Sequence, residues 1–177
     1  MTACVGVVCR GSIAVAADSC LLDSSTGAEW LTGAKIRQVG TLIAAGAGAA
    51  NLIGSFLDSL TAKDQGRTPQ DLARRLGDLA EDTEDEDGCT DFVLAVGGHM
   101  WVIDSTGSCV RPSQRYVAIG GGAKAALGAL YTLTNPLAME GDEDSACIWA
   151  RTAVEAAASC CQGVRLPAIV MSARRGT

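Results

Sequence analysis

The sequence predicts an α+β fold in which two antiparallel sheets pack face to face and a pair of helices covers each outer side. Two observations carry this. Strand-like segments come in groups, followed by two helical segments, more strands, two further helices and a last strand, whereas a parallel βα repeat would alternate them. Each helical segment also carries an apolar stripe, and sheets lying inside the helix pairs would bury all of these stripes at once. A chain of 177 residues suits one compact domain, 1–177, and no repeat or low-complexity linker divides it.

Taken in order, Thr2 to Cys9 reads as a short apolar strand, Arg10-Gly11-Ser12 as a turn and Ile13 to Ala17 as its return strand. Asp18 to Gly33 is polar and contains glycine, so it is expected to be a loop. Lys35 to Val39 and Leu42 to Ala45 form a strand pair around Gly40, and the small-residue stretch 44–50 then leads into a helix on which Leu52, Phe56 and Leu60 stack. A second helix opens at Thr68, with Pro69 in its first turn, Asp71 near its positive end and a stripe of Leu72, Leu76 and Leu79. Glu81 to Asp87 is an acidic run without metal-loop spacing, read as a solvated connection. Strands resume at Phe92–Val96 and Met100–Ile103 across Gly97-Gly98, then at Cys109-Val110 and Tyr116–Ile119. Gly120-Gly121-Gly122 opens a third helix, Ala123 to Leu133, which Asn135-Pro136 stops. A fourth follows Asp142-Glu143-Asp144 and runs to about Cys161, and a strand from Leu166 to Ser172 closes the chain.

Composition removes several function classes. A net charge of −6 leaves no basic footprint for nucleic acid, and no apolar run has the length to span a bilayer. The start lacks the basic region of a signal peptide, so the expected location is the cytoplasm. The eight cysteines contain no CxxC pair and sit mostly in apolar patterns, which reads as free buried thiols. One histidine, His99, leaves little for a Ser/His triad or a multi-histidine zinc site. Hydrophobic residues make up 48% of the chain, mostly small ones, which fits either an alanine-rich core or buried faces between subunits.

What remains is the chain start. Methionine is generally removed before a small residue, which would leave Thr2 with a hydroxyl and a free α-amine, a group of ordinary pKa about 7.7–8.0. Such a residue is nucleophile and base in one. The first hairpin returns Ala16-Ala17-Asp18-Ser19 beside that start, and Lys35 heads the next strand. An ammonium beside Thr2 favours loss of its proton, and Asp18 would keep Lys35 charged and aimed. A turn at Ala45-Gly46-Ala47-Gly48 would offer a backbone N–H to an oxyanion. The rival reading is a turn aspartate, a surface lysine and tight strand-to-helix packing.

Thr2, Ala16-Ala17-Asp18, Lys35 and Ile43-Ala44-Ala45, then Val102-Ile103-Asp104 through Gly107, Val110-Arg111-Pro112 and Ala118 to Gly122, resemble the pattern of proteasome β subunits and of the proteasome-like peptidase HslV. The resemblance covers most of residues 2 to 135 in order and spacing. It implies the four-layer αββα sandwich of N-terminal-nucleophile hydrolases. It also implies homo-oligomeric rings of six or seven subunits stacked in pairs, with an inner chamber where polypeptide is cut, fed by a separate ATPase. By the same resemblance Thr2 attacks, Lys35 tunes it, Asp18 orients Lys35 and the Ala45 amide holds the oxyanion, with no metal or organic cofactor needed. Leu21 and Thr32 would lie near the substrate. Two positions depart from the pattern: Ala45 stands where relatives usually place glycine, and Gly121 where they usually carry a serine near the active-site water. The cation that such relatives can bind through carbonyls near Ala158 and Cys161 is not assigned here. Two rival functions follow, an amidohydrolase of restricted substrate and a ring-forming protein of the same fold without activity.

Overall fold

The computed structural model of the chain describes residues 2–22, 29–31, 35–83, 89–134 and 143–174. The chain opens with the predicted hairpin, β1 (Cys4–Cys9) and β2 (Ser12–Ala17), paired antiparallel from Cys4↔Ala17 to Cys9↔Ser12. The predicted loop after it is not wholly irregular. It holds a two-stranded antiparallel ribbon, β3 (Cys20–Leu22) and β4 (Glu29–Leu31), whose strands of three residues are too short to stand out from the polar stretches around them. β5 (Ile36–Val39) and β6 (Leu42–Ala47) follow, then helix α1 (Ala50–Ser59), a 3₁₀ turn at Ala62–Gly66 and helix α2 (Pro69–Asp82). As predicted, the Thr68 side chain caps α2 by accepting from the Asp71 amide.

The second half runs β7 (Asp91–Val96), β8 (His99–Asp104), β9 (Cys109–Val110), β10 (Tyr116–Ile119), α3 (Ala123–Leu133), α4 (Glu143–Cys160) and β11 (Ile169–Arg174). Most of the acidic run, Asn135-Pro136 and Asp142 lie outside the described residues. One sheet has the order β10-β1-β2-β11 and the other β5-β6-β7-β8-β9, both antiparallel.

Alternation along each strand sorts the core into layers. Ala3, Val5, Val7, Ala14 and Ala16 face α3 and α4, whose Ala126, Leu130, Ala146, Ala150, Ala153 and Ala157 cover them. Leu42, Ala44, Phe92 and Leu94 face α1 and α2, meeting Leu52, Phe56, Leu72 and Leu76. Between the sheets lie Cys4, Ile13, Val15, Ala17, Ile43, Ala45, Val93, Ala95 and Met100. The result is a four-layer αββα sandwich. The sheets approach closely where Gly6 sits, since a Cβ there would stand 2.4 Å from the Met100 sulfur and 2.8 Å from Val93. The small apolar residues therefore make an alanine-rich core in the α3–α4 half. All eight cysteines are free, and Cys4, Cys9 and Cys20 are buried, but Cys89 and Cys160 are exposed. Among the described residues no helix is long and apolar enough to cross a membrane.

Candidate active site

The hairpin register decides where Asp18 lies. Cys4↔Ala17 is the last strand pair, and the next rung is closed from one side when the Asp18 N–H donates to the Ala3 carbonyl at 3.1 Å. The Ala3 N–H does not return to the main chain. It donates to Asp18 Oδ1 at 3.0 Å, so the carboxylate replaces a carbonyl at the end of the ladder. The Cys20 N–H holds Oδ2 at 3.1 Å, with the Arg165 N–H at 3.5 Å. Asp18 is fully buried, and these amides offset much of what burying its charge costs.

Lys35 enters from the other sheet. Its Nζ lies 3.1 Å from both Asp18 oxygens and 2.9 Å from Thr2 Oγ1, and the residue is only 2% exposed. An ammonium has three donors and no acceptor. These contacts therefore occupy it, and Thr2 Oγ1 accepts in the Lys35 bond. The hydroxyl proton of Thr2 is left to point elsewhere, while the cation beside the oxygen stabilises an alkoxide. Thr2, Asp18 and Lys35 are thus brought together as the sequence predicts.

Ala45 is not placed as expected. It lies inside β6 and is buried, not in a turn. The Gly46 N–H donates to the Lys35 carbonyl at 2.9 Å, so the alternation of β6 turns the Ala45 amide to the opposite side, facing Val93 of β7. That amide belongs to the sheet ladder. Carried past the strand end, the same alternation returns the Gly48 amide to the Lys35 side, at a residue with φ 139°. The apolar run 42–47 continues the strand where its small residues suggest a turn.

The main chain of Thr2 is seated by the glycine run before α3. The Gly122 N–H donates to the Thr2 carbonyl at 3.0 Å. Gly120 has φ 86°, and a Cβ there would stand 2.4 Å from that carbonyl oxygen. Cys4, buried nearby, is not a competing nucleophile. Burial, and then the Asp18 charge, push its thiol well above the ordinary range against a smaller pull from Lys35. It stays a thiol, donating to the Gly46 carbonyl at 3.2 Å.

Sequence reasoning missed the amides of Ala3, Cys20 and Arg165 around Asp18, since backbone donors leave no residue-type signal. Gly121 supplies no side chain. Leu21 lies in β3, and Thr32 is outside the described residues. No group of three or more His, Cys, Asp or Glu able to hold a metal occurs among the described residues.

No protein-family model matches the chain, and no curated protein matches it by sequence. Solved structures do match in fold. Thiobacillus denitrificans BPH aligns with a TM-score of 0.74 at 20% identity, covering 98% of each chain. The same protein in complex with epoxomicin aligns at 0.76 and 20% identity, over 99% of this chain and 100% of that one. Eukaryotic HslV from Trypanosoma brucei aligns at 0.72 and 19% identity, over 97% and 99%. The chain has the fold of these proteins over nearly its whole length.

Proposed function

We propose that the chain is a threonine-type endopeptidase whose nucleophile is Thr2 after removal of Met1. The observation that carries this is Lys35 Nζ at 2.9 Å from Thr2 Oγ1 and 3.1 Å from both oxygens of a buried Asp18. A structural salt bridge has no need to spend a donor on a partly exposed hydroxyl at the chain start.

The Thr2 hydroxyl proton passes to its own α-amine, directly or through one water, as Oγ1 attacks the scissile carbonyl carbon. Lys35 stabilises the alkoxide, and Asp18 keeps Lys35 protonated and aimed. We assign the oxyanion donor to the Gly48 amide in place of Ala45. The departing amine takes the proton from the Thr2 ammonium, leaving an ester on Oγ1. Water then adds with the amine as base, and the carboxylic acid leaves. The resemblance to proteasome β subunits and HslV extends the reading to assembly. Six or seven copies would close a ring, rings would stack in pairs, and unfolded polypeptide would reach an inner chamber through a separate ATPase.

The rival reading, a ring-forming protein of the same fold without activity, rests on Gly121, which offers no hydroxyl to a bridging water. Intact mass after incubation with epoxomicin, the compound held by one structural neighbour, separates the two. The enzyme is expected to lack Met1 and to gain one covalent adduct on the peptide that begins with Thr2, and Thr2→Ala to gain none. Retained Met1 in every copy, or equal labelling of Thr2→Ala, sinks the peptidase.

A further inference from the structure

At the far end of the inter-sheet core from Thr2 lies a second site. β1 carries the chain from Thr2 to Val8, about 20 Å at the rise of a strand. There a cavity of ≈ 240 Å³ is lined by Val8, His99, Met100 and the 111–115 segment. Most of its surface is polar. His99, Ser113 and Gln114 join the cationic Arg111 and Arg115, Val8, Met100 and Pro112 supply a smaller apolar patch, and no carboxylate lines it although the chain as a whole is at −6.

Arg111 is held in place. Val102↔Val110 is the outermost pair of β8 and β9, so Arg111 follows opposite Trp101. Its Cζ stacks 5.9 Å from the Trp101 ring centroid, and Nη2 lies 3.0 Å from His99 Nδ1. A guanidinium only donates, so Nδ1 accepts and His99 is the neutral imidazole with its proton on Nε2. One nitrogen is fixed and one face covered, which leaves a planar fork set before any ligand arrives.

We propose that this cavity binds a small monocarboxylate, its carboxylate on the Arg111 fork and its short apolar body against Val8, Met100 and Pro112. The planar fork matches two carboxylate oxygens side by side. The cavity is larger than a bare inorganic ion fills, and the apolar patch beside the fork gives a short aliphatic body a place to lie.

Calorimetric titration of the intact protein with butyrate, butyramide, inorganic phosphate and N-acetylvaline tests this. Butyrate is expected to bind saturably and butyramide not at all, with phosphate at least about tenfold weaker. Arg111→Gln should weaken butyrate at least about tenfold, and Arg111→Lys, which keeps the charge without the fork, should also weaken it. Arg111 is exposed, so both variants should keep the wild-type melting temperature and peptidase activity. N-acetylvaline binding tighter than butyrate makes the carboxylate that of a polypeptide C-terminus. Butyrate alone makes it a free acid. Either supports the carboxylate site. No saturable butyrate binding, phosphate binding equally well, or Arg111→Gln binding like wild type would overturn it.

Discussion

At the scale of single residues, the site is a set of exchanges between backbone and side chain, and each predicts what a substitution does. Lys35→Ala removes the cation on Thr2 Oγ1 and strands a buried carboxylate. Peptide hydrolysis should fall by about 10²–10⁴, the range of a lost proton-transfer partner. Stability should fall by about 3–5 kcal/mol, because Asp18 loses its counter-ion. Adding Asp18→Asn should restore much of the stability and none of the activity. Urea midpoints and turnover on one unfolded substrate separate the effects, and wild-type turnover in Lys35→Ala would remove Lys35 from the mechanism. Gly120 is a cleaner probe of seating. At φ 86° an alanine is strained by about 1–2 kcal/mol, and its Cβ also meets the Thr2 carbonyl. Gly11, at φ 82° with nothing within 4 Å, carries the strain without the collision. Gly11→Ala should therefore lose stability alone, and Gly120→Ala both stability and activity. Equal activity in the two would show that the carbonyl's seat does not govern attack. Thr2, Asp18 and Lys35 were legible in the sequence because a hairpin return and a strand start fix their places. The end of β6 was not, because Ala44 to Ala50 contains only small residues, which fit a strand and a turn equally well.

At the scale of elements, caps and pairings that residue type announces are legible in the sequence, and those made by geometry are not. Thr68, Pro69 and Asp71 signal the start of α2, and Thr68→Ala should cost about 1 kcal/mol. The 3₁₀ turn at Ala62–Gly66 carries no such periodicity, and the β3–β4 ribbon, with three residues in each strand, is too short to show in a sequence. Yet that turn holds, among the described residues, the one other buried carboxylate besides Asp18. Asp64 accepts from the Thr61 amide and hydroxyl, from Arg67 Nε at 2.9 Å and from Arg75. The Arg75 hydrogen bond, against a smaller burial penalty, holds its carboxyl well below the usual carboxylate range. A depressed folded value contributes stability that is present above the unfolded value of about 3.9 and lost as pH falls from there toward the folded one. Arg67 is half exposed, so most of the effect belongs to Arg75. Asp64→Asn should cost about 1.5–3 kcal/mol at neutral pH. The gap from wild type should close as urea unfolding is repeated at lower pH below about 3.9. A gap independent of pH would assign the loss to shape and not to charge.

At the scale of the whole molecule, the layer order was legible because it follows from how apolar stripes must be covered. The surface left over was not, because exposure depends on which side of each helix the sheet takes. Ala126 and Leu130 of α3 and Ala146 and Ala150 of α4 are buried on the sheet side. Tyr131 and Ile148, on the same two helices, are 77% and 61% exposed. Large apolar groups on the outer layer of an otherwise acidic chain cost solubility unless something covers them. The assembly proposed above would supply that cover. Native mass spectrometry should then find the wild-type protein at many times the 18.1 kDa of one chain. The double substitution Tyr131→Glu and Ile148→Glu should shift it to smaller species while the melting of the isolated fold changes little, since neither side chain is part of the core. A wild-type protein that stays at the mass of one chain would deny the chamber, and with it the confinement that lets an unselective nucleophile work among other proteins. A double variant still at full mass would leave the ring standing and place its contacts on another face.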